Sequence, residues 1–213
     1  MEFLDEKLEE YVNAHTTPES EILSDLNRQT HINVLQPRML SGHLQGRTLS
    51  LLSKMIQPNR ILEIGTYTGY SAICMAEGLK ENGKLITIDV NYELEDMVKN
   101  YVDKAGFKDQ IEMKVGDAME IIPKLDKNFD LVFIDADKSN YSNYFDLLIA
   151  DLPKGSIMIA DNVLWSGKVI EETKKNDKDT AALKVFNKKI QDDDRVENVL
   201  LPIRDGLMVI RKK

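Results

Sequence analysis

Cysteine is almost missing from this chain. Cys74 stands alone among 213 residues, which excludes an internal disulfide and leads us to expect a reducing, cytoplasmic setting. Histidine is scarce too, and His15, His31 and His43 are too scattered for a zinc signature. No apolar run reaches the roughly 18 residues of a membrane span, so no membrane partner is expected. The stretch Met1-Glu2-Phe3-Leu4-Asp5-Glu6-Lys7 has no basic segment leading into an apolar one, and a secretory leader is not expected. Repeats and low-complexity tracts are missing. Positive charge is in the minority, and the net charge of −8 weighs against broad nucleic-acid binding. What remains is 42% hydrophobic and 30% charged residues, the composition of one globular domain with a substantial core.

The first 57 residues read as helical. Phe3, Leu4, Leu8, Tyr11 and Val12 share one helical face, Pro18 opens a second helix, and Leu40 to Ile56 form a third closed by Pro58. From Arg60 the pattern changes. Short apolar runs at Ile61–Ile64, Lys84–Ile88, Ile111–Lys114, Leu131–Ile134 and Ser156–Ala160 alternate with helical stretches at Tyr70–Lys80, Glu93–Ala105, Ala118–Leu125 and Tyr141–Asp151. Such alternation predicts a parallel sheet covered on both faces. After a polar helix at Thr180–Gln191, Val196–Leu201 and Leu207–Ile210 flank Pro202-Ile203-Arg204-Asp205-Gly206, a hairpin signal that turns the last strand antiparallel. The expected fold is α/β and Rossmann-like, with seven mainly parallel strands, a C-terminal antiparallel hairpin and added N-terminal helices. Residues 1–57 are read as a helical extension of the same domain and 58–213 as its core.

The first strand runs into Glu63-Ile64-Gly65-Thr66-Tyr67-Thr68-Gly69-Tyr70-Ser71. Glycines let a backbone turn sharply and approach a ligand, and the next helix aims its amides there. The Gly-x-x-x-Gly spacing is not that of dinucleotide folds, and no Lys-Ser/Thr follows to make a phosphate loop. Asp89 ends the second strand, where it can take ribose hydroxyls. Gly116-Asp117-Ala118 ends the third, where an adenine could rest. Acid, glycine loop, acid and Gly-Asp-Ala on successive strands suit S-adenosylmethionine (SAM), which carries a sulfonium and an ammonium.

Past the fourth strand stands Asp135-Ala136-Asp137-Lys138, and past the fifth Asp161-Asn162. Ligands bind outside the carboxyl ends of such strands. Oxygen donors from Asp135, Asp161 and Asn162 suit a hard divalent cation, Mg²⁺ or in its place Mn²⁺ or Ca²⁺, which keeps positions for water and substrate. Helix capping by an acid would also explain Asp135 to Lys138, but it explains Asp161-Asn162 poorly. Trp165 is a candidate wall of the substrate pocket. Tyr141 and Tyr144 are read as packing against the sheet, and Lys174 to Asp179 as a solvated, mobile loop.

The segments Glu63–Ser71, Phe133–Tyr141, Asp161–Gly167 and Leu201–Leu207 resemble, in the same order, the cation-dependent class I O-methyltransferases, the caffeoyl-CoA and catechol O-methyltransferase family. The resemblance implies that Asp135, Asp161 and Asn162 bind the metal and that Lys138 is the base. It implies that Ser41, Glu63, Gly65, Thr66, Ser71, Asp89, Ala118 and Asp135 line the cofactor. Ser166 stands where plant members carry Asn, which argues against a plant-like acyl-CoA substrate. Relatives form homodimers, which the N-terminal helices allow.

The expected function is methyl transfer from SAM to a hydroxyl of a catechol-like or hydroxycinnamoyl-like small molecule. Methylation of a hydroxylated uridine in tRNA is an alternative, with Arg28, Arg38, Arg47 and Lys54 as its basic patch. A non-catalytic SAM-binding module is another. A dehydrogenase is disfavoured by the loop spacing and the terminal hairpin.

Overall fold

A computed structural model of the chain describes residues 5–213. Phe3 and Leu4, assigned to the first helix by their spacing, lie outside them. The described residues form two compact units, 5–117 and 118–213.

The first unit opens with α1 (Glu6–Ala14), α2 (Glu21–Asn33) and α3 (Gly42–Ile56). Asp5 accepts the Lys7 amide at 3.0 Å and Ser20 the Leu23 amide at 3.3 Å, each satisfying a donor that a helix start leaves unpaired. The Ser20 cap is why α2 begins at Glu21 and not at Pro18. Alternation follows: β1 (Arg60–Ile64), α4 (Tyr70–Ala76), β2 (Lys84–Asp89), α5 (Glu95–Lys104) and β3 (Ile111–Val115). These three strands are parallel, in the order β3-β2-β1.

α4 is entirely buried and stops at Ala76, short of the expected Lys80. The cause is close packing on α3, which turns the small residues Gly46, Ser50 and Ser53 inward. A Cβ on Gly78 would lie 2.3 Å from the Ser53 carbonyl carbon, so only glycine fits there, and glycine continues a helix poorly.

Glu77, in that turn, collects three donors from α3. Arg47 grips it with two nitrogens at 2.8 and 3.0 Å, and Lys54 Nζ and Ser50 Oγ each donate at 2.8 Å. Burial alone would raise the Glu77 pKa, but these hydrogen bonds outweigh it and hold the carboxyl at about 2, below the ordinary 4.5. The folded value is depressed. Its contribution is therefore full above pH 4.5 and is lost as pH falls towards 2. By the shift of pKa it amounts to at most about 3 kcal/mol. Denaturant unfolding of the wild type and Glu77→Gln across this range should show a flatter acid limb in the variant. Parallel limbs would remove Glu77 from the acid sensitivity.

The second unit holds α6 (Ala118–Ile121), β4 (Leu131–Ile134), α7 (Tyr141–Ile149), β5 (Ile157–Ala160), α8 (Lys178–Asp192), β6 (Val196–Leu201) and β7 (Leu207–Lys212). Its strand order is β4-β5-β7-β6, with β4 and β5 parallel and β7 antiparallel to both neighbours. Leu131-Val132-Phe133-Ile134 is buried throughout, as a strand covered on both faces requires. The expected hairpin is present. Arg204 at φ 50° and Gly206 at φ 90° close it in the left-handed region. α8 buries Leu183, Phe186 and Ile190 at helical spacing. Among the described residues no helix is long and apolar enough to cross a membrane.

Candidate active site

In the first unit the loop after β1 is shaped by three positive φ angles, at Gly65 (101°), Tyr67 (49°) and Gly69 (85°). Glu63 is fully buried. Ser71 Oγ donates to its Oε1 and Thr87 Oγ1 to its Oε2, both at 2.5 Å. Thr87 thereby spends its proton, so Thr66, 2.6 Å away, is the donor to Thr87. The structure thus joins three expected cofactor residues, Glu63, Thr66 and Ser71, in one buried network. Asp89 accepts the Tyr67 amide at 2.7 Å and the Asn91 amide at 2.9 Å, which ties the glycine loop to the end of β2. Its half-buried carboxylate keeps lone pairs beyond these two, the acceptors that ribose hydroxyls need. Ser41 is buried at the N-terminal cap of α3. Ala118 is buried at the start of α6, in the other unit.

The second cluster lies wholly in residues 118–213. β4 and β5 pair in register, Ile134 with Ala160, so Asp135 and Asp161 leave the sheet side by side. Asp161 is 2% exposed, and its Oδ1 accepts the Asn162 amide at 2.7 Å. Lys138 opens a 3-10 turn over Lys138–Asn140 and is 8% exposed. Its Nζ donates to Asp135 Oδ1 at 3.0 Å and to the Tyr141 hydroxyl at 2.6 Å. Burial and then the negative charge of Asp161 push the Asp135 pKa up, against the pull of Lys138. Arg204 adds a weaker pull in the same direction as Lys138, and a divalent cation would add to it. No group of three His, Cys, Asp or Glu side chains suited to a metal occurs among the described residues. A cation here would rest on two carboxylates and the Asn162 amide, with water completing the shell.

The segment after β5 is strained. Asn162 (φ 56°), Trp165 (48°) and Ser166 (53°) all adopt left-handed backbone, which non-glycine residues hold only when their surroundings force it. The β6–β7 hairpin does the forcing. Gly206 O accepts the Val163 amide, Asp205 O the Leu164 amide, and Asp205 Oδ1 the Ser166 amide at 2.5 Å. Trp165 is half-buried, its ring 5.8 Å from Lys138 Nζ and 5.9 Å from Lys168 Nζ.

Two readings of the sequence gain detail. Tyr141 does more than pack: its hydroxyl reaches Lys138 and also donates toward the carbonyls of Ile134 (3.2 Å) and Asp161 (3.0 Å). Tyr144 places its hydroxyl 2.5 Å from Asp137 Oδ1, steadying the turn that carries Lys138. The spacing of three from Lys138 was the available signal for Tyr141. Within the basic patch proposed for tRNA, Arg47 and Lys54 both bind Glu77.

Residues 13–213 match the family model described as O-methyltransferase. A catechol O-methyltransferase of Niastella koreensis is 39% identical over 132 residues, a match that spans only 60% of each chain. A probable caffeoyl-CoA O-methyltransferase of Arabidopsis thaliana is 32% identical over 91% of this chain and 88% of its own. Among solved structures, the Bacillus cereus O-methyltransferase in complex with SAH superposes with a TM-score of 0.89 at 28% identity, covering 97% of each chain. TomG of Streptomyces achromogenes, in complex with SAM, gives 0.89 at 27% identity over 97% of this chain and 96% of its own. The expected Rossmann-like methyltransferase fold is thereby shown. The chain belongs to the O-methyltransferase family, the SAM-dependent enzymes of the catechol and caffeoyl-CoA type.

Proposed function

We propose that this protein moves a methyl group from SAM to one hydroxyl of a small molecule carrying two neighbouring oxygens, as catechols and hydroxycinnamoyl compounds do, with the help of a divalent cation. The observation that carries this reading is the buried Lys138, held between Asp135 and Tyr141 at the end where Asp135 and Asp161 emerge side by side. When bound, SAM supplies an electrophilic methyl group, and Mg²⁺ (or Mn²⁺ or Ca²⁺) supplies Lewis acidity that eases proton loss from the acceptor. Asp135, Asp161 and Asn162 would hold the cation. Glu63, Gly65, Thr66, Ser71 and Asp89 would hold the cofactor, with Ser41, Ala118 and Asp135 beside it. Lys138 Nζ accepts the acceptor's proton, acting as base in its neutral form. Trp165 walls the acceptor. Positioning of this kind supplies roughly 7–11 kcal/mol in favourable cases. The reading includes a homodimer in the cytoplasm. Leu8 and Tyr11, exposed on an α1 that buries none of its side chains, support the dimer.

Methyl-labelled SAM offered with a catechol panel and with bulk tRNA, each with magnesium or with excess chelator, tests it. Label should enter a catechol-type acceptor only when the cation is present. Labelling of tRNA alone, or of nothing, would overturn the acceptor class.

A further inference from the structure

The geometry points to Tyr141 as a positioning residue that aims the Lys138 amine at the methyl acceptor; this rests on Lys138 being the base. An amine nitrogen has four tetrahedral positions. At Lys138 one is the bond to Cε, one points at Asp135 Oδ1 (3.0 Å) and one at the Tyr141 hydroxyl (2.6 Å). The fourth, which is the lone pair of the neutral amine, is then fixed in direction. Asp135 by itself takes one position and leaves the lone pair free to occupy either of the other two. Tyr141 removes the freedom.

Tyr141 is built for this part. It is fully buried, and its single proton is directed toward the carbonyls of Ile134 and Asp161, so the hydroxyl oxygen is left as an acceptor facing Nζ. Those carbonyls belong to the ends of β4 and to the residue just past β5, the two places from which Asp135 and Asp161 emerge. The ring is clamped edge-on by Phe186 of α8, with centroids 5.4 Å apart. The base is thus oriented from the same strand ends that carry the two carboxylates. A surface tyrosine or a flexible hydroxyl could not do this.

A positioned general base contributes roughly 10²–10⁴-fold, and a mis-aimed one loses part of that. Tyr141→Phe keeps the ring and its contact with Phe186. It should lower kcat by about tenfold while KM for the acceptor and affinity for SAH stay close to wild type. In a Lys138→Ala background the same change should cost nothing more, because Tyr141 then has no amine to aim. A full independent loss in that background, or unchanged kcat in the single variant, overturns the assignment. If Lys138→Ala itself leaves kcat intact, the base reading falls, and this inference with it. One measurement needs no variant: nitrogen-15 NMR of the wild type should show Lys138 Nζ protons exchanging slowly with water, and fast exchange would rule out a held amine.

Discussion

Asp161→Ala should lower kcat/KM for methyl transfer by roughly a thousandfold, equivalent to about 4 kcal/mol. The variant removes one of the two carboxylates proposed to hold the cation. After burial, its charge is what raises the Asp135 pKa most. Without Asp161 the cation would be left with Asp135 as its one carboxylate ligand beside Asn162. The same variant frees the Asn162 amide, now held by Asp161 Oδ1 at 2.7 Å, and with it the left-handed Asn162 backbone. Asp161→Asn separates the effects, since it keeps an oxygen for that amide and drops only the charge. Steady-state kinetics over a magnesium titration measure both variants. Affinity for SAH should change little in either, because Asp161 is not among the residues proposed to hold the cofactor. Wild type fully active in excess chelator, or Asp161→Ala within tenfold of it, would dispose of the cation.

The second large effect concerns folding. Gly78→Ala would place a Cβ 2.3 Å from the Ser53 carbonyl carbon and 2.4 Å from the Lys54 nitrogen. Both obstacles are backbone of α3, so no rotamer change relieves them. The helix cannot retreat cheaply either. Ser53 Oγ donates to the Met75 carbonyl at 2.6 Å, and Arg47, Ser50 and Lys54 all bind Glu77. Overpacking costs about 1–3 kcal/mol, occasionally more, and this site belongs at the upper end. For a chain of this size that is a fall in Tm of about 6–12 °C. Thermal unfolding followed by circular dichroism would show it, and a Tm unmoved by the substitution would mean that α3 and the turn after α4 yield easily.

Much of this was legible in the sequence, because the signals are local. Buried strands announce themselves as short apolar runs, and turns as Gly and Pro. Acids placed just past those runs fall at the carboxyl ends of strands. All seven strands and the terminal hairpin follow from that reading, as do the positions of Glu63, Asp89, Asp135 and Asp161 in the elements. The N-terminal helices were legible in number but less so in their ends. Ser20 set the start of α2 because its hydroxyl caps an amide, and α4 stopped early because it packs against α3.

Partners distant in sequence were beyond it. Nothing near Arg47 in the chain says that Glu77 will hold it, and nothing near Ser166 says that Asp205 will accept its amide. Tyr141 shows the boundary most clearly. Its spacing from Lys138 was visible, but a tyrosine at that spacing packs as readily as it bonds. The choice was made by two carbonyls at the ends of neighbouring strands, which direct the phenol proton and leave its oxygen to the lysine. Local pattern determined which residues stand where the strands end. Which way each polar atom faces was decided by the tertiary structure, because buried hydrogen-bonding groups must find partners wherever the packed chain supplies them.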